Sequence, residues 1–299
     1  HGLRIRTHKI CLVCDVIWDL SEEQAMPELP EVEVCRRGLL PVIENQYLLG
    51  AVVRVPRLRL PIPPELDQLL AGQQVVAVRR RGKYLLLDCR GGKEDGCLII
   101  HLGMSGNLRF VPLGSPPGKH DHVDILLAQQ ILRFGDPRRF GLVLWQPTSE
   151  PPPALLTVMG IEPLEDEFTS EWLFEATRRR AGPIKPILMD SHLLVGVGNI
   201  YAAESLFRAG ISPLRAANRI SLERYGLLVA AIRATLADAI AAGGSSIRNY
   251  VHNDGSEGWF QINVAVYDRA GEPCRRCDGT VKQIRQGGRS SFYCPRCQH

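Results

Sequence analysis

The stretch Pro147-Thr148-Ser149-Glu150-Pro151-Pro152-Pro153 divides two regions of different periodicity, and the fold follows from reading outward from it. Upstream, apolar runs rich in Val, Ile and Leu cover 51–60, 74–88, 97–111, 122–127, 131–134 and 141–145, with Gly and Pro clusters between them. Six or more short strands in this span predict a β-sandwich. A short helical pattern through Val32, Cys35, Leu39 and Leu40 precedes them and stops near Pro41. Downstream, apolar residues recur at three- and four-residue spacing over 169–180, 183–189, 200–209 and 221–242, which predicts amphipathic helices. Ser221 ahead of Glu223 and Arg224 reads as an N-cap, and Gly243-Gly244 as a stop. The fold class is therefore α+β, in four parts: a leader or removed segment over 1–26, a sandwich over 27–150, a helical domain over 151–262 and a cysteine-rich unit over 263–299.

The last unit carries Cys274-Arg-Arg-Cys277 and Cys294-Pro-Arg-Cys297, a C-x2-C-x16-C-x2-C pattern. Each pair presents two thiolates to one point, and the intervening segment is long enough for a hairpin that joins the pairs. Four thiolates are the donor set of a closed structural zinc site, so one structural Zn2+ is expected. Two disulfides are the alternative. Scattered Cys35, Cys89 and Cys97 argue against the oxidising compartment this would need. Cys11 and Cys14 have no second pair nearby.

Of the 299 residues, 36 are Lys or Arg and 32 Asp or Glu, a net +4 too small to argue for a polyanion partner. Its distribution says more. Residues 27–160 carry 16 basic and 13 acidic side chains, 161–244 carry 9 and 10, and 245–299 carry 8 and 5. The excess sits at both ends, sharpest at Arg79-Arg80-Arg81-Gly82-Lys83 and Asp136-Pro137-Arg138-Arg139-Phe140. Such turns are either solvated surface or phosphate-neutralising contacts to a duplex. No apolar run reaches the roughly 20 residues of a membrane-spanning helix, and no membrane partner is expected. The first 25 residues fit neither a secretory signal, since Asp15 interrupts the apolar stretch, nor a transit peptide, since they hold four acids.

Five motifs in order then carry a resemblance: Met26-Pro27-Glu28-Leu29-Pro30-Glu31-Val32-Glu33, His101-Leu102-Gly103-Met104-Ser105-Gly106, Lys119-His120-Asp121-His122, Asp136-Pro137-Arg138-Arg139-Phe140-Gly141 and Gly196-Val197-Gly198-Asn199-Ile200-Tyr201. With Arg289 between the cysteine pairs, residues 27–299 closely resemble the formamidopyrimidine-DNA glycosylase family. The sister endonuclease VIII group usually has Gly where Leu29 stands and lacks the Met104 and Arg138/Phe140 pattern, so the oxidised-purine branch fits better. The resemblance implies a helix–two-turns–helix motif around 196–209 and a zinc ribbon. It implies excision of 8-oxoguanine and formamidopyrimidines from double-stranded damaged DNA, with β,δ-elimination at the abasic site. The alternatives are a catalytically dead DNA-binding homologue and an enzyme for oxidised pyrimidines. A cytoplasmic bacterial monomer without a nucleotide cofactor is expected.

The resemblance also assigns roles. Pro27 is the nucleophile: a secondary amine whose adduct with a sugar C1′ is necessarily an iminium cation. Glu28 is the acid beside it, Lys83 the lysine of β-elimination or a phosphate contact, and Arg289 a phosphate clamp that assists δ-elimination. Met104, Arg138 and Phe140 fill the hole left by a flipped base. His120, Lys185 and Asn199 touch DNA near the lesion, as does Arg180, although the family's basic residue often falls at the position of Ala181. The segment 248–258 matches the family's lesion-capping loop, and Glu31 is expected to be structural. A proline nucleophile has no residue before it, so translation from Met26 or removal of 26 residues is required. The first is preferred: Glu22-Glu23 is encodable as GAGGAG, a ribosome-binding sequence just upstream.

Overall fold

The computed structural model describes residues 27–243 and 264–299, so the leader 1–26, the loop 248–258 and Gly244 lie outside the described residues. The sandwich is preceded by helix α1 (Leu29–Ile43) and built from β1 (Leu48–Val53), α2 (Leu66–Leu70), β2 (Gln74–Arg81), β3 (Tyr84–Arg90), β4 (Gly96–His101), β5 (Asn107–Pro112), β6 (Asp121–Leu127), β7 (Gln130–Gly135) and β8 (Leu142–Pro147). Two four-stranded antiparallel sheets form, in the orders β1-β6-β7-β5 and β2-β3-β4-β8. Alternate residues of both sheets, including Val75, Leu85, Leu87, Leu98, Ile100, Val123, Ile125 and Leu132, meet in one core.

Three predicted runs end or divide where the backbone requires it. The run 51–60 stops at Val53, and residues beyond it include Pro56, which has no N–H for a ladder. The run 74–88 turns back at Gly82, which has φ +56° and would bring a side chain onto Val195. The run 97–111 breaks between β4 and β5, where a Cβ on Gly106 would lie 2.1 Å from the Leu102 carbonyl oxygen.

Beyond the proline-rich stretch come α3 (Ala154–Thr157), α4 (Ser170–Thr177), α5 (Ile184–Leu188), α6 (Asn199–Arg208) and α7 (Leu222–Ala241). Thr169 and Ser221 cap α4 and α7 by accepting the N–H groups of Trp172 and Arg224. Residues 264–267 are irregular, and the cysteine unit follows as the antiparallel hairpin β9 (Lys282–Gln286) and β10 (Arg289–Tyr293). It packs through Val266, Val281 and Phe292 on Ala203 and Phe207 of α6.

Helix α1 belongs to both domains. Val32, Cys35, Leu39 and Ile43 point into the sandwich, while Leu29 is part of the core formed by α4 to α7. The first turn of α1 is thereby fixed at the junction of the two domains. Among the described residues no helix is long and apolar enough to cross a membrane.

Candidate active site

The junction is built around two buried carboxylates. Glu28, only 3% exposed, accepts N–H groups from the start of α6: Gly198 at 2.8 Å, Ile200 at 3.0 Å and Tyr201 at 3.4 Å. The arrangement places an acid at a helix N-terminus, where free N–H groups favour negative charge. Gly198 is required for this approach, since a Cβ there would lie 2.3 Å from the Glu28 Cδ. Gly196 (φ +81°) accepts the Leu29 N–H at 3.0 Å and leaves room for that side chain. Glu31, 1% exposed, accepts the Glu28 N–H at 2.9 Å and the Tyr201 hydroxyl at 2.6 Å. Burial pushes the Glu28 carboxyl above its ordinary pKa. The Lys83 charge and the backbone donors pull it part of the way back, and the Glu31 charge adds to the rise.

Lys83 follows the Gly82 turn and is half-buried. Burial lowers its pKa, the charges of Glu28 and Glu31 raise it, and that of Arg289 lowers it again. Lys83 is thus within electrostatic reach of both carboxylates and of the exposed arginine that opens β10. Pro27 is buried immediately before Glu28. Lys83 thus links Glu28, next to Pro27 at the start of α1, with Arg289 on the cysteine hairpin through electrostatic reach.

The Lys83 turn is held from the other domain. Glu162 accepts the Gly82 N–H at 2.6 Å, Arg80 Nη1 at 2.7 Å and Arg81 Nη1 at 3.2 Å. Arg80 also reaches Glu33 of α1, and Arg79 pairs with Asp88. Arg80 and Arg81 are therefore committed to ion pairs with Glu162 across the domain junction, whereas Arg79 is exposed and forms a surface pair, so the solvated reading of the cluster holds at Arg79 and fails at Arg80. A one-dimensional count of charge does not see partners 47 or 82 residues away.

A second group lies on two adjoining loops. Buried Asp136 accepts the Ser105 hydroxyl at 2.7 Å and the N–H groups of Arg138 and Gly141 at 3.2 and 2.8 Å, so the Met104 loop and the 138–141 loop share one anchor. Met104, Arg138 and Phe140 are half-buried, and the Arg138 guanidinium lies 5.0 Å from the Phe140 ring centroid. Exposed His120 is tied in through its carbonyl, which accepts the Asp136 N–H at 2.9 Å. Gly103 donates its N–H to His101 Nδ1 at 2.9 Å. Burial, then the charges of Arg59 and Lys83, push His101 down to about 3, so its ring is neutral near pH 7.

Lys185 is placed differently from a surface phosphate contact. It is 1% exposed, and its ammonium donates to Asn199 Oδ1 at 2.5 Å, the Ser290 carbonyl at 2.9 Å and the Ser291 hydroxyl at 2.7 Å. It ties α5, the first residue of α6 and the hairpin together, beside a cavity of about 230 Å³ that Arg289 also lines. Exposed Arg180 pairs with Asp190 at 3.1 Å.

The four cysteine sulfurs lie within 4.8 Å of one another, with Cys274 and Cys297 3.9 Å apart and Cys277 and Cys294 3.5 Å apart. A zinc tetrahedron with Zn–S bonds of about 2.3 Å has S···S edges of about 3.8 Å. The four thiols fit that ion, and none is in a disulfide.

Residues 26–143 match the family model of the formamidopyrimidine-DNA glycosylase N-terminal domain, 159–251 the H2TH domain of the same enzyme, and 271–299 the zinc finger found in FPG and IleRS. The chain belongs to the formamidopyrimidine-DNA glycosylase family. Over 92% of this chain and the whole of the relative, it is 68% identical to the formamidopyrimidine-DNA glycosylase of Dechloromonas aromatica. A solved complex of Lactococcus lactis Fpg with abasic-site DNA is 35% identical, with a TM-score of 0.82 over 91% of this chain and 99% of that one. A solved MutM complex with DNA containing carbocyclic 8-oxo-G is also 35% identical, with the same TM-score over 91% and all of that chain. The formamidopyrimidine-DNA glycosylase resemblance thus extends to the three-domain fold, and the cysteine cluster is the zinc finger's one structural zinc site.

Glu162, Asp136 and Tyr201 complete this family member's site. Asp136 and Tyr201 fall inside the recognised motifs but carry no signal that separates an anchor from its neighbours. Glu162 lies outside every motif, and only its contacts across the domain junction reveal it.

Proposed function

We propose that this chain is a base-excision repair glycosylase and abasic-site lyase that removes oxidised purines, 8-oxoguanine and formamidopyrimidines, from duplex DNA. The observation that carries this reading is that Lys83 lies within electrostatic reach of Glu28, Glu31 and Arg289, with buried Pro27 directly before Glu28. With Pro27 as the N-terminus, its secondary amine adds to C1′ of the flipped nucleotide as the bond to the base breaks. Glu28, which burial keeps protonated to a higher pH than a surface carboxylate, supplies a proton to the sugar ring oxygen or the departing base. The resulting iminium makes the C2′ proton acidic. Its loss expels the 3′ phosphate, and a second elimination expels the 5′ phosphate, leaving a one-nucleoside gap.

Lys83, held below the ordinary lysine range by burial, is suited to exchange protons during elimination. Arg289 holds phosphate with a guanidinium that stays charged. Met104, Arg138 and Phe140 occupy the vacated place in the stack, offsetting part of the cost of base flipping. His120 and Asn199 contact the backbone near the lesion, and Lys185 holds Asn199 and the hairpin in place for them. Cys274, Cys277, Cys294 and Cys297 would hold zinc, which would fix the hairpin and, with all four ligands from the protein, offer no place for a reactive water. The protein acts as a monomer on the chromosome.

Borohydride trapping on an 8-oxoguanine duplex tests the reaction, with intact mass reading the N-terminus of the natively expressed protein. A covalent adduct on Pro27 is expected. Its absence from protein beginning at Pro27 would leave a DNA-binding homologue without the chemistry. Faster excision of an oxidised pyrimidine than of 8-oxoguanine would overturn the substrate assignment.

A further inference from the structure

Tyr201 is 1% exposed and lies in the core of the helical domain, where a phenylalanine would bury the same ring. A buried hydroxyl costs free energy unless it is paired, so the partner it finds is informative. It donates to Glu31 Oε1 at 2.6 Å, while Glu31 Oε2 accepts the Glu28 N–H at 2.9 Å. The Tyr201 backbone N–H reaches Glu28 Oε2 at 3.4 Å. One residue of α6 thus holds both carboxylates of the first turn of α1, one with its side chain and one with its backbone.

We infer that Tyr201 is a positioning residue for the Pro27 nucleophile, acting through Glu31; the inference rests on the function proposed above. The Glu28 N–H belongs to the peptide bond that joins Pro27 to Glu28. That bond is planar, so fixing the N–H fixes the plane in which the Pro27 Cα lies. The nucleophilic nitrogen is one bond from that Cα. On the other side of the same residue, the Leu29 N–H is held by the Gly196 carbonyl at 3.0 Å. Between them, Glu31 and Gly196 set the path of the chain into the site, and the hydroxyl of Tyr201 sets Glu31. A carboxylate with both oxygens held, as here, rotates far less than one held at a single oxygen. Lys83 faces Glu31 electrostatically, but as a lysine on a turn it does not impose a direction on the carboxylate as a ring-borne hydroxyl does.

Small displacements of a reacting atom are costly, with a 1 Å error worth up to about 100-fold in rate. The test compares Tyr201→Phe, Glu31→Gln and the double variant with wild type, all zinc-loaded, natively expressed and confirmed by mass to begin at Pro27. Three quantities are measured: the single-turnover rate of borohydride trapping on an 8-oxoguanine duplex, the Kd for a duplex with a stable abasic analogue, and Tm. Tyr201→Phe is expected to slow trapping by about 10- to 100-fold while leaving Kd within about twofold, the pattern of a loss confined to the chemical step. Adding it to Glu31→Gln should slow trapping little further, because the two act in series. Trapping at the wild-type rate, a loss seen only in Tm or Kd, or rate losses that multiply in the double variant would each overturn the inference. If Tyr201→Phe does not fold, Glu31→Gln alone decides: unchanged trapping sinks the idea, and slowed trapping with unchanged Kd sustains it. A wild type starting at Pro27 that traps nothing removes the proposed reaction itself, a failure distinct from one confined to the variants.

Discussion

Glu28 combines two opposed demands, since it is buried like a core residue and held by N–H donors like a helix-capping carboxylate. Burial wins, and the folded-state pKa lies above the reference value of 4.5. The consequence for stability has a definite sign. Where folding raises a pKa, the folded state binds more protons than the unfolded state between the two values, and stability falls as pH rises through that interval. Glu28 therefore contributes fully below pH 4.5, and its contribution is lost as pH rises through the higher folded value. Glu28→Gln replaces the carboxyl with a neutral amide of the same shape, so it lacks this decline. Thermal melts from about pH 4 to 8 should show the wild type losing stability relative to Glu28→Gln as pH rises. A wild type that instead gains would mean that the α6 donors outweigh burial. The same substitution should depress base release while leaving DNA binding, because the amide has no proton to give.

The β2–β3 turn shows how an element can be placed by a residue outside its own domain. Its glycine at φ +56° allows the reversal, but its orientation depends on Glu162, whose side chain is 11% exposed and bridges Gly82, Arg80 and Arg81. Glu162→Gln keeps the shape and removes the charge, leaving Arg80 with Glu33 and the Gly82 carbonyl. Because Glu33 still faces Arg80, the cost is below the roughly 3 kcal/mol of a fully stranded buried charge, and the Lys83 turn is the part released. Strand cleavage on a preformed abasic site should slow more than duplex affinity falls, and the melting midpoint should drop. Equal losses in rate and affinity would show that the clamp serves the domain junction rather than the turn. Sequence legibility ends at this kind of contact. The strands, helices, serine cap and cysteine hairpin were readable because period, capping chemistry and metal spacing are local. Pro27 and Glu28 were readable because they open the first motif, Lys83 because it ends the 79–83 basic cluster and Arg289 because it lies between the cysteine pairs. The split of 97–111, the arginine clamps and the burial of Lys185 were not, because each depends on atoms brought together from distant parts of the chain.

At the scale of the whole molecule, the hairpin depends most on its metal. Its two five-residue strands share a small core with Val266, Phe207 and Ala203, and an isolated two-stranded ribbon is at best marginally stable in water. The sandwich and the helical domain have their own larger cores. Removing zinc should therefore unfold the 271–299 unit first and leave two cooperative domains. The active site would feel the loss twice. Arg289 would leave the vicinity of Lys83, and Lys185 would lose the Ser290 carbonyl and the Ser291 hydroxyl. Losing two acceptors from the hairpin loosens the tie between Lys185 and Asn199 at the start of α6, the segment that holds Glu28. Chelation should thus weaken binding to an 8-oxoguanine duplex by about 10-fold or more at fixed salt and reduce the salt dependence, since phosphate contacts are lost with the hairpin. It should also slow base release, a step for which the proposed mechanism uses no hairpin residue. Titrations and product gels before chelation, after it and after zinc is restored would separate these effects. Base release that survives chelation while affinity falls would confine the role of the metal to gripping DNA and rule out its transmission through Lys185.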